Sequence, residues 1–427
     1  MTSTPPATPT HGAADLAAEM RARVGDVLAQ VRAGVPALVV DSPPGAGKTG
    51  LVERLAVSEA VLHGRRVAIA TTTRAQAVAL AERLALWRGV SPVWLAPATA
   101  HRVAPRGVTV VTALGELAPG AGVTVGTAAK WAMSPDAAGA FDVLVVDEAY
   151  QLSFAAFAPI ADLAPQVVMV GDPGQIAPVV DVAVERWRDD PAGPHRPAPS
   201  VLAARGGQWL SSLSLPATRR LPAQSAAVVS DAFYPAMAFG SLAPARTLRV
   251  PGVVDGESLS IRTAPDTNGG PYDPRLAAAA AGLVVRVLEA GRIEDEHGSQ
   301  PVLPGQVGVV CAYVAQVPLV QAALGQAAGG VLVETANRWQ GLERDVIVGL
   351  HPLSGQAVPP PFAMDAGRAC VMCSRHKVAA VLVGSDGLDA AAAAGASAAE
   401  RHFDDCADAA GAHERLLGHL LPAAQAL

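Results

Sequence analysis

Short runs of valine, isoleucine and leucine recur along this chain, and they constrain its fold more than any other feature. Most of the runs lack the polar alternation of a strand with one wet face, so we expect strands buried on both faces. Such strands occur in parallel sheets covered by helices. The runs in the first half are VPALVV (35–40), RVAIAT (66–71), VTVVT (108–112), FDVLVVD (141–147) and QVVMVGD (166–172).

Segments with helical spacing separate these predicted strands. GLVERLAVSEAVLHG, after the first strand, carries Leu51, Leu55 and Leu62 at helical intervals and ends at Gly64. A strand, a helix and a second parallel strand in succession form a βαβ unit. The pattern returns later, with helical stretches at 275–290 and 317–328. The strands predicted there are VGVVCAY (307–313), GVLVET (330–335), RDVIVGL (344–350) and KVAAVLVG (377–384).

The length of 427 residues predicts two such α/β domains, because one domain usually takes roughly 100–200 residues. Residues 185–200 are rich in proline and charge, which is typical of a loop or linker. The opening segment, MTSTPPATPTHG, lacks the basic and apolar regions of an export signal. We predict a disordered tail (1–20), a first domain (21–210), a second domain (211–390) and C-terminal helices (391–427).

Composition excludes several classes of protein. The net charge of −6 argues against a protein that coats nucleic acid by charge alone. Four cysteines are too few for a disulfide framework, so we expect a reducing, cytoplasmic location. Cys370 and Cys373 lack the second ligand pair of a zinc site, and we expect them to be packed in the interior. The longest uncharged stretch, 346–364, contains polar residues and three consecutive prolines, which argues against a membrane span.

A glycine-rich segment, SPPGAGKT, directly follows the first predicted strand and precedes the first predicted helix. This order is typical of a phosphate-binding loop, in which backbone N–H groups and a helix N-terminus hold phosphate oxygens. Ser42 stands where the usual pattern has glycine. We predict that Lys48 reaches the β and γ phosphates and that the Thr49 hydroxyl binds Mg²⁺. The predicted nucleotide contacts are Pro44, Gly45, Ala46, Gly47, Lys48, Thr49 and Gly50.

Two acidic residues, Asp147 and Glu148, lie at the end of the predicted strand FDVLVVD and directly after it. A phosphate-binding loop needs a carboxylate on a neighbouring strand to hold the metal ion, and Asp147 fits that position. Glu148 is the predicted base that takes a proton from the attacking water. The next strand leads into GDPGQ, which places Gln175 near the expected γ-phosphate.

These motifs, in this order, resemble the superfamily 1 helicases. The resemblance is to the branch with the sequence Asp-Glu-Ala-x-Gln, which includes the nonsense-mediated-decay helicase; residues 147–151 carry that sequence here. Later segments are also similar to helicase motifs. They are TTTRAQAVALAERL (71–84), VGTAAKWA (125–132), LPATRRLPAQSAAVVSDAFYP (215–235), VGVVCAYVAQV (307–317), TANRWQGLERDVIV (335–348) and RACVMCSRHKVAAVLVG (368–384).

The resemblance implies a P-loop NTPase of the α/β class, with two tandem RecA-like domains whose parallel sheets are flanked by helices. It implies two arginines that stabilise the transferring phosphoryl group, Arg219 and Arg375, with Arg220 as an alternative to Arg219. It further implies nucleotide contacts from Tyr313, Gln340, Gly341 and Glu343, and contacts to single-stranded nucleic acid from Thr72, Thr127 and Thr335.

The expected function is an ATP- and Mg²⁺-dependent helicase or translocase on single-stranded DNA or RNA. The main alternative is an ATP-gated clamp or regulatory module that binds nucleic acid without unwinding it, suggested by the short segment between Trp87 and Val123. A metabolic P-loop kinase is a weaker alternative, because it has no use for two arginines from a second domain.

Overall fold

We describe the fold on a computed structural model of the chain. The structure describes residues 12–98, 105–117, 120, 122–180, 183–187, 189–265, 267, 269–399 and 404–427. The chain divides into two compact units. We call Ala18–Pro173 with Ala177–Pro216 the N-terminal unit, and Met1–Ala17 with Gly174–Ile176 and Ala217–Leu427 the C-terminal unit.

The N-terminal unit contains an eight-stranded sheet, and every pairing in it is parallel. Its strands are β1 (Ala37–Asp41), β2 (Val67–Thr71), β3 (Val93–Leu95), β4 (Thr109–Val111), β5 (Val123–Thr127), β6 (Val143–Asp147), β7 (Val167–Gly171) and β8 (Leu210–Ser214). Their spatial order is β4-β3-β5-β2-β6-β7-β1-β8. The helices up to this point are α1 (Ala13–Arg32), which runs across the division between the units, α2 (Lys48–Val57), α3 (Arg74–Leu84), α4 (Ala128–Ala132), α5 (Phe154–Phe157) and α6 (Ala198–Arg205).

The C-terminal unit contains a six-stranded parallel sheet, together with further short strands and with helices. Its strands are β9 (Ala217–Thr218), β10 (Gly240–Ser241), β11 (Thr247–Val250), β12 (Val254–Asp255), β13 (Leu259–Thr263), β14 (Arg292–Asp295), β15 (Gly298–Pro301), β16 (Val307–Cys311), β17 (Leu332–Thr335), β18 (Arg344–Leu350), β19 (His376–Gly384) and β20 (Gln425–Ala426). The parallel sheet has the order β17-β16-β18-β19-β13-β20, and β12-β11-β14-β15 form a separate antiparallel sheet. The helices are α7 (Ala223–Phe233), α8 (Pro274–Ala290), α9 (Gln316–Leu324), α10 (Pro361–Met364), α11 (Ala366–Cys373), α12 (Leu388–Ala399) and α13 (Asp404–Leu420).

The two parallel sheets share one topology. Five consecutive strands correspond, β5-β2-β6-β7-β1 in the N-terminal unit and β17-β16-β18-β19-β13 in the C-terminal unit. Numbered by their order along the chain within each set, both read 3-2-4-5-1. Both sheets therefore have the same RecA-like arrangement, and the prediction of two tandem RecA-like domains with parallel sheets is confirmed.

Burial explains why these segments form strands and helices. Every residue of β2 and of β16 is buried, as expected for strands covered on both faces. In α8, Leu276, Ala280 and Val287 are buried at helical spacing, so one face of this helix packs against the sheet.

The structure corrects the prediction for the ends of the chain. α1 begins at Ala13, so the tail predicted for 1–20 includes its first turns, and residues 1–11 lie outside the described residues. Leu16 and Met20 are buried, which gives this segment a reason to be helical. At the other end, the segment 391–427 contains most of α12, all of α13 and the short strand β20, and the buried Ala391 and Leu416 belong to a hydrophobic core of the C-terminal unit.

The described residues contain no helix with the length and apolar character needed to cross a membrane.

His351, His376 and His413 are buried in the C-terminal unit, where water cannot solvate a charged imidazolium ring. Burial lowers the pKa of His376 to about 3 and that of His413 to about 4, and it lowers the pKa of His351 well below its ordinary value. Positive charge on Arg220 also disfavours protonation of His376. The rings of His351 and His413 lie 5.7 Å apart.

We expect the urea concentration at the midpoint of unfolding to decrease when the pH is lowered from 7 to 5. The unfolded chain binds a proton at each histidine below about pH 6.5. The folded rings of His376 and His413 stay neutral down to about pH 4, and burial also disfavours the charged form of His351, so stability is lost as pH falls below about 6.5. Each histidine contributes up to about 1.4 kcal/mol per pH unit. His413→Phe should reduce the pH dependence, and His297→Gln, at an exposed side chain, should keep it unchanged. An identical pH dependence in His413→Phe would contradict this account.

Candidate nucleotide-binding site

The predicted strand, glycine-rich loop and helix are present at the phosphate-binding segment. β1 ends at Asp41 and α2 begins at Lys48. Gly45 and Gly47 have φ angles of 75° and 94°, a region that side chains with Cβ rarely enter. The loop therefore has a conformation suited to an anion, and the first N–H groups of a helix such as α2 have no acceptor within the helix.

Ser42 is accommodated in this loop. Its backbone does not adopt a positive φ angle, so glycine is not required there. The side chain is buried, and the Ser42 N–H donates to the Gly171 carbonyl at 2.9 Å. This bond connects the start of the loop to the carboxyl end of β7.

Lys48 lies among acidic side chains at the carboxyl edge of the sheet. Its Nζ is 3.9 Å from Glu148 Oε2 and 3.6 Å from Asp172 Oδ2. Asp147 ends β6, and its Oδ1 accepts a hydrogen bond of 3.0 Å from the Glu148 N–H. The structure thus brings together Lys48, Asp147 and Glu148, and it adds Asp172, which the sequence analysis did not single out.

Glu148 has an unusual backbone conformation. Its φ angle of 53° makes it the one non-glycine residue with positive φ among the residues that the structure describes. Such a conformation costs about 1 kcal/mol or more and is concentrated at functional sites. The conformation sets the direction in which the Glu148 side chain leaves the backbone, directly after the end of β6.

The electrostatics of Asp147 favour binding of a cation. Burial, followed by the negative charge of Glu148, raises the pKa of Asp147 to about 7, and the Lys48 charge opposes that shift. A divalent cation bound here would relieve the repulsion between the Asp147 and Glu148 carboxylates. Thr49 directly follows Lys48, so hydroxyl and carboxylate oxygens, the ligands that Mg²⁺ prefers, are available here.

The described residues contain no group of three or more His, Cys, Asp or Glu side chains placed to hold a metal ion. Cys370 and Cys373 are buried, and the Cys370 Sγ lies 3.4 Å from the Tyr234 hydroxyl. Mg²⁺ does not require a group of three such side chains, because proteins often hold it through one or two side chains together with phosphates and water.

Tyr150 connects the acidic loop to the first strand. Its hydroxyl donates to Asp41 Oδ1 at 2.7 Å. Burial raises the pKa of both groups, so the proton stays on the phenol and the hydrogen bond persists across the neutral range. Gly171 leaves room for the ring, because a Cβ there would meet Tyr150 Cδ2 at 2.8 Å. This contact is not apparent from the sequence, because residues 41 and 150 are brought together only by the strand order.

Gln175 belongs to a different compact unit from the residues that flank its segment in the sequence. It lies in the Gly174–Ile176 segment, which belongs to the C-terminal unit, whereas Asp172 belongs to the N-terminal unit. Gly174 packs closely against Tyr234, and a Cβ on Gly367 would meet the Gln175 backbone at 2.8 Å. Ile176 is part of a hydrophobic core of the C-terminal unit.

The arginines of the C-terminal unit differ in their surroundings. Arg219 is exposed and makes no hydrogen bond or ion pair with another described residue. Arg220 is paired with Glu343, Nε to Oε2 at 2.8 Å, and also donates to the Ser374 carbonyl at 3.2 Å. Arg375 is only 2% exposed and directly precedes β19.

Glu343 is held by two cations. Lys377 Nζ lies 2.6 Å from its Oε1, in addition to the Arg220 contact. Burial raises the pKa of Glu343, but the Lys377 and Arg220 interactions outweigh burial and lower it overall. Glu343 is therefore an anion fixed between two basic groups. Gln340 and Gly341 precede it in the turn after β17.

Tyr313 follows β16 and is half-buried. Its hydroxyl accepts a hydrogen bond of 2.9 Å from Gln356 Nε2, and its ring lies between those of Tyr272 and Phe362. Burial raises the pKa of its phenol.

The predicted threonines all lie at carboxyl ends of strands. Thr72 follows β2, and its hydroxyl donates to Gln76 Oε1 at 2.6 Å. Thr127 ends the neighbouring strand β5 and caps α4 by accepting from the Lys130 N–H at 3.2 Å. Thr335 ends β17 in the other sheet. Thr72 and Thr127 are neighbours, because Thr71 and Thr127 are paired in register.

Two family models match the chain. Residues 26–186 match one model described as an AAA domain, and residues 276–387 match a second AAA-domain model. Neither match alone covers half of the 427 residues.

Solved helicase structures show a distant likeness. An Arterivirus nonstructural protein 10 helicase is 16% identical, with a TM-score of 0.46, and the match covers 83% of this chain and 60% of that one. The same protein in complex with DNA is 16% identical, with a TM-score of 0.45 and coverage of 84% and 63%. The PRRSV helicase is 14% identical, with a TM-score of 0.44 and coverage of 87% and 55%. The present chain thus spans less than two thirds of these proteins.

A comparison with curated proteins gave no significant match.

Proposed function

We propose that this protein is an ATP-dependent translocase or helicase on single-stranded DNA or RNA, of the Asp-Glu-Ala-x-Gln branch. The observation that carries the proposal is the cluster at the carboxyl edge of the N-terminal sheet, where Lys48 lies 3.9 Å from Glu148 and 3.6 Å from Asp172 beside a phosphate-binding loop. The matches to two AAA-domain models, the resemblance of the sequence motifs to superfamily 1 helicases and the second RecA-like sheet support a motor that uses ATP.

In the proposed reaction the N-terminal unit binds and orients the triphosphate. The backbone of 44–50 and the Lys48 ammonium neutralise phosphate charge. When bound, Mg²⁺ supplies further neutralisation of the β and γ phosphates, and the Thr49 hydroxyl and the Asp147 carboxylate are the groups that would hold it. Glu148 Oε atoms accept a proton from the attacking water.

Further residues have proposed roles toward the nucleotide. Arg219 and Arg375 stabilise negative charge on the transferring phosphoryl group, and Gln175 responds to the γ-phosphate. Tyr313, Gln340, Gly341 and Glu343 contribute to nucleotide binding. Because Glu343 already binds Arg220 and Lys377, a nucleotide hydroxyl would share its carboxylate with them.

Three threonines are the proposed contacts to the strand. Thr72 and Thr127 lie at one sheet edge and Thr335 at the corresponding edge of the other sheet. Hydroxyl and backbone N–H groups bind phosphates without a large excess of positive charge, which reconciles the net charge of −6 with a nucleic-acid partner.

ATP turnover measured with and without single-stranded DNA and RNA tests this proposal. We expect stimulation by at least one polymer and loss of turnover in Lys48→Ala. Lys130→Ala, a lysine replacement elsewhere in the N-terminal unit, serves as the matched control for turnover without nucleic acid. Turnover that is indifferent to every nucleic acid would refute the proposal.

A nucleotide-gated clamp is the second candidate. Between α3 and β5, the described residues form the two short edge strands β3 and β4 and a single 3₁₀ turn, which extend the sheet. Short elements such as these are suited to hold a strand without separating a duplex. Displacement of streptavidin from a biotinylated oligonucleotide distinguishes the two, since a clamp binds in an ATP-dependent way and displaces nothing.

We also propose a cytoplasmic location. Cys311, Cys370 and Cys373 are buried cysteines that are not in disulfides. Burial raises the pKa of Cys311 to about 12, so this residue is an inert structural thiol suited to a reducing compartment.

A further inference from the structure

An exposed apolar surface lies where two helices of the N-terminal unit end. A π-helical turn, Ser58–Leu62, directly continues α2 and presents Val61 and Leu62 to solvent. Just after the end of α3, the chain presents Leu86 and Trp87. Leu62 is 71% exposed and Leu86 is 83% exposed. We call Val61, Leu62, Leu86 and Trp87 the apolar patch.

Two contacts join the halves of the apolar patch. Trp87 Nε1 donates to Glu53 Oε2 at 3.2 Å, which holds the indole against α2. Gly89 packs against the π-helical turn, since a Cβ built on it would lie 3.5 Å from Val61 Cγ1. The patch is therefore one surface and not a set of scattered side chains. Single exposed apolar residues are ordinary, whereas a group of them is typical of an interaction site.

The apolar patch borders an open groove whose exposed charge is positive. The groove has a volume of about 630 Å³, which is room for several side chains of a partner. Its one acid, Glu53, is buried and already binds Arg83 and the Trp87 indole. Arg83 and Arg88 are exposed, whereas the exposed acid Glu82 does not line the groove. The lining residues are Glu53, Arg83, Leu86, Trp87 and Arg88.

The apolar patch lies at the edge of the sheet opposite to the nucleotide site. α2 begins at Lys48, beyond the carboxyl end of β1, and the chain returns to the amino end of β2 at Val67. α3 likewise begins after the carboxyl end of β2 and leads to the amino end of β3. The ends of both helices therefore lie at the amino edge, and the 10 residues of α2 alone extend about 15 Å. A partner bound there does not cover Lys48 or Thr72.

We propose that the apolar patch and its groove bind an acidic peptide segment of a partner protein. Large apolar side chains of the segment cover Leu62 and Leu86, and its carboxylates pair with the arginines of the groove. Charge complementarity of this kind selects the partner and its orientation. The interaction goes beyond the ATP-dependent activity, because it gives the protein a means of attachment that leaves the nucleotide site open.

Two other occupants fit the apolar patch less well. A second copy of this chain in a symmetric dimer would bring the same arginines of both copies together, which costs free energy. A nucleic acid would satisfy Arg83 and Arg88, but Leu62 and Leu86 are aliphatic and offer no flat face on which a base could stack. An acidic segment with large apolar residues matches both the charge and the apolar area.

Selection from a random peptide library displayed on phage tests the inference, with wild type as bait and Leu86→Ser combined with Arg88→Glu as the counter-selection. We expect enriched peptides in which aspartate or glutamate accompanies leucine, phenylalanine or tryptophan. Binding of a fluorescein-labelled copy of the most enriched peptide is then measured with single variants. Leu86→Ser and Arg88→Glu should each weaken it about tenfold or more. Added salt should also weaken it.

Matched controls come from the same unit. Met133→Ser changes another apolar side chain, which is 80% exposed, and Arg21→Glu reverses an exposed charge on α1. Both should bind the peptide as wild type does. ATP turnover without nucleic acid should be unchanged in Leu86→Ser and Arg88→Glu, which shows that these variants are folded.

Each of the remaining outcomes overturns the inference. A selection that enriches no acidic peptide, or peptides that bind both variants as tightly as wild type, would refute an acidic partner. A dimer of wild type that Leu86→Ser dissociates in sedimentation experiments would assign the apolar patch to a second copy. Weaker oligonucleotide binding in both variants would assign it to nucleic acid. The proposed function is tested separately, by the dependence of ATP turnover on nucleic acid.

Discussion

Glu148→Gln is expected to stop ATP turnover while leaving nucleotide binding intact. The substitution keeps the shape of the side chain but removes its capacity to accept a proton from water. Loss of a general base costs about 10²- to 10⁴-fold in rate. Nucleotide affinity should be equal to or higher than that of wild type, because Lys48 loses one of its two acidic neighbours and retains Asp172.

Single-turnover hydrolysis and equilibrium binding of a fluorescent ATP analogue measure the two effects separately. Glu82→Gln, at an exposed position on α3 of the same unit, is the matched control and should behave as wild type. Turnover within tenfold of wild type would show that another group accepts the proton. Loss of nucleotide binding would instead show that Glu148 holds the loop in shape.

The parallel strands could be predicted from sequence where both faces are apolar, and not where a buried strand carries polar residues. β13 was missed because Ser260 and Arg262 alternate with apolar residues, which is typical of a half-exposed strand. Both side chains are nevertheless buried, and Arg262 Nε donates to the Val253 carbonyl at 2.9 Å. The partner of that arginine is set by tertiary structure, which no local pattern contains.

In the candidate site, too, some residues could be predicted from the sequence and others could not. Lys48, Asp147 and Glu148 were predictable because the chemistry of each follows from a short local motif. Asp172 and Tyr150 were not, because their partners depend on the order of strands. β7 lies between β1 and β6 in the sheet, so the residue that follows β7 reaches Lys48. Spacing along the chain does not reveal that adjacency.

Arg219→Ala is expected to reduce ATP turnover far more than Arg220→Ala. Loss of an arginine that stabilises the transferring phosphoryl group costs about 10³-fold or more. Arg219 is exposed and makes no bond to another described residue, so it can turn toward phosphate without breaking an existing contact. Arg220 would first have to leave both Glu343 and the Ser374 carbonyl.

Arg220→Ala is also the matched control, since it removes the same group from the adjacent position. Its expected effects are a loss of about 1 kcal/mol of stability or less, as for a partly exposed ion pair, and a turnover within tenfold of wild type. Lys377 continues to bind Glu343 in this variant and limits the damage. Nucleic-acid-stimulated turnover and urea unfolding of both variants decide the assignment. If Arg220→Ala causes the larger loss of turnover without a larger loss of stability, the Glu343 pair is a resting state that nucleotide binding breaks, and Arg220 is the phosphoryl-stabilising arginine.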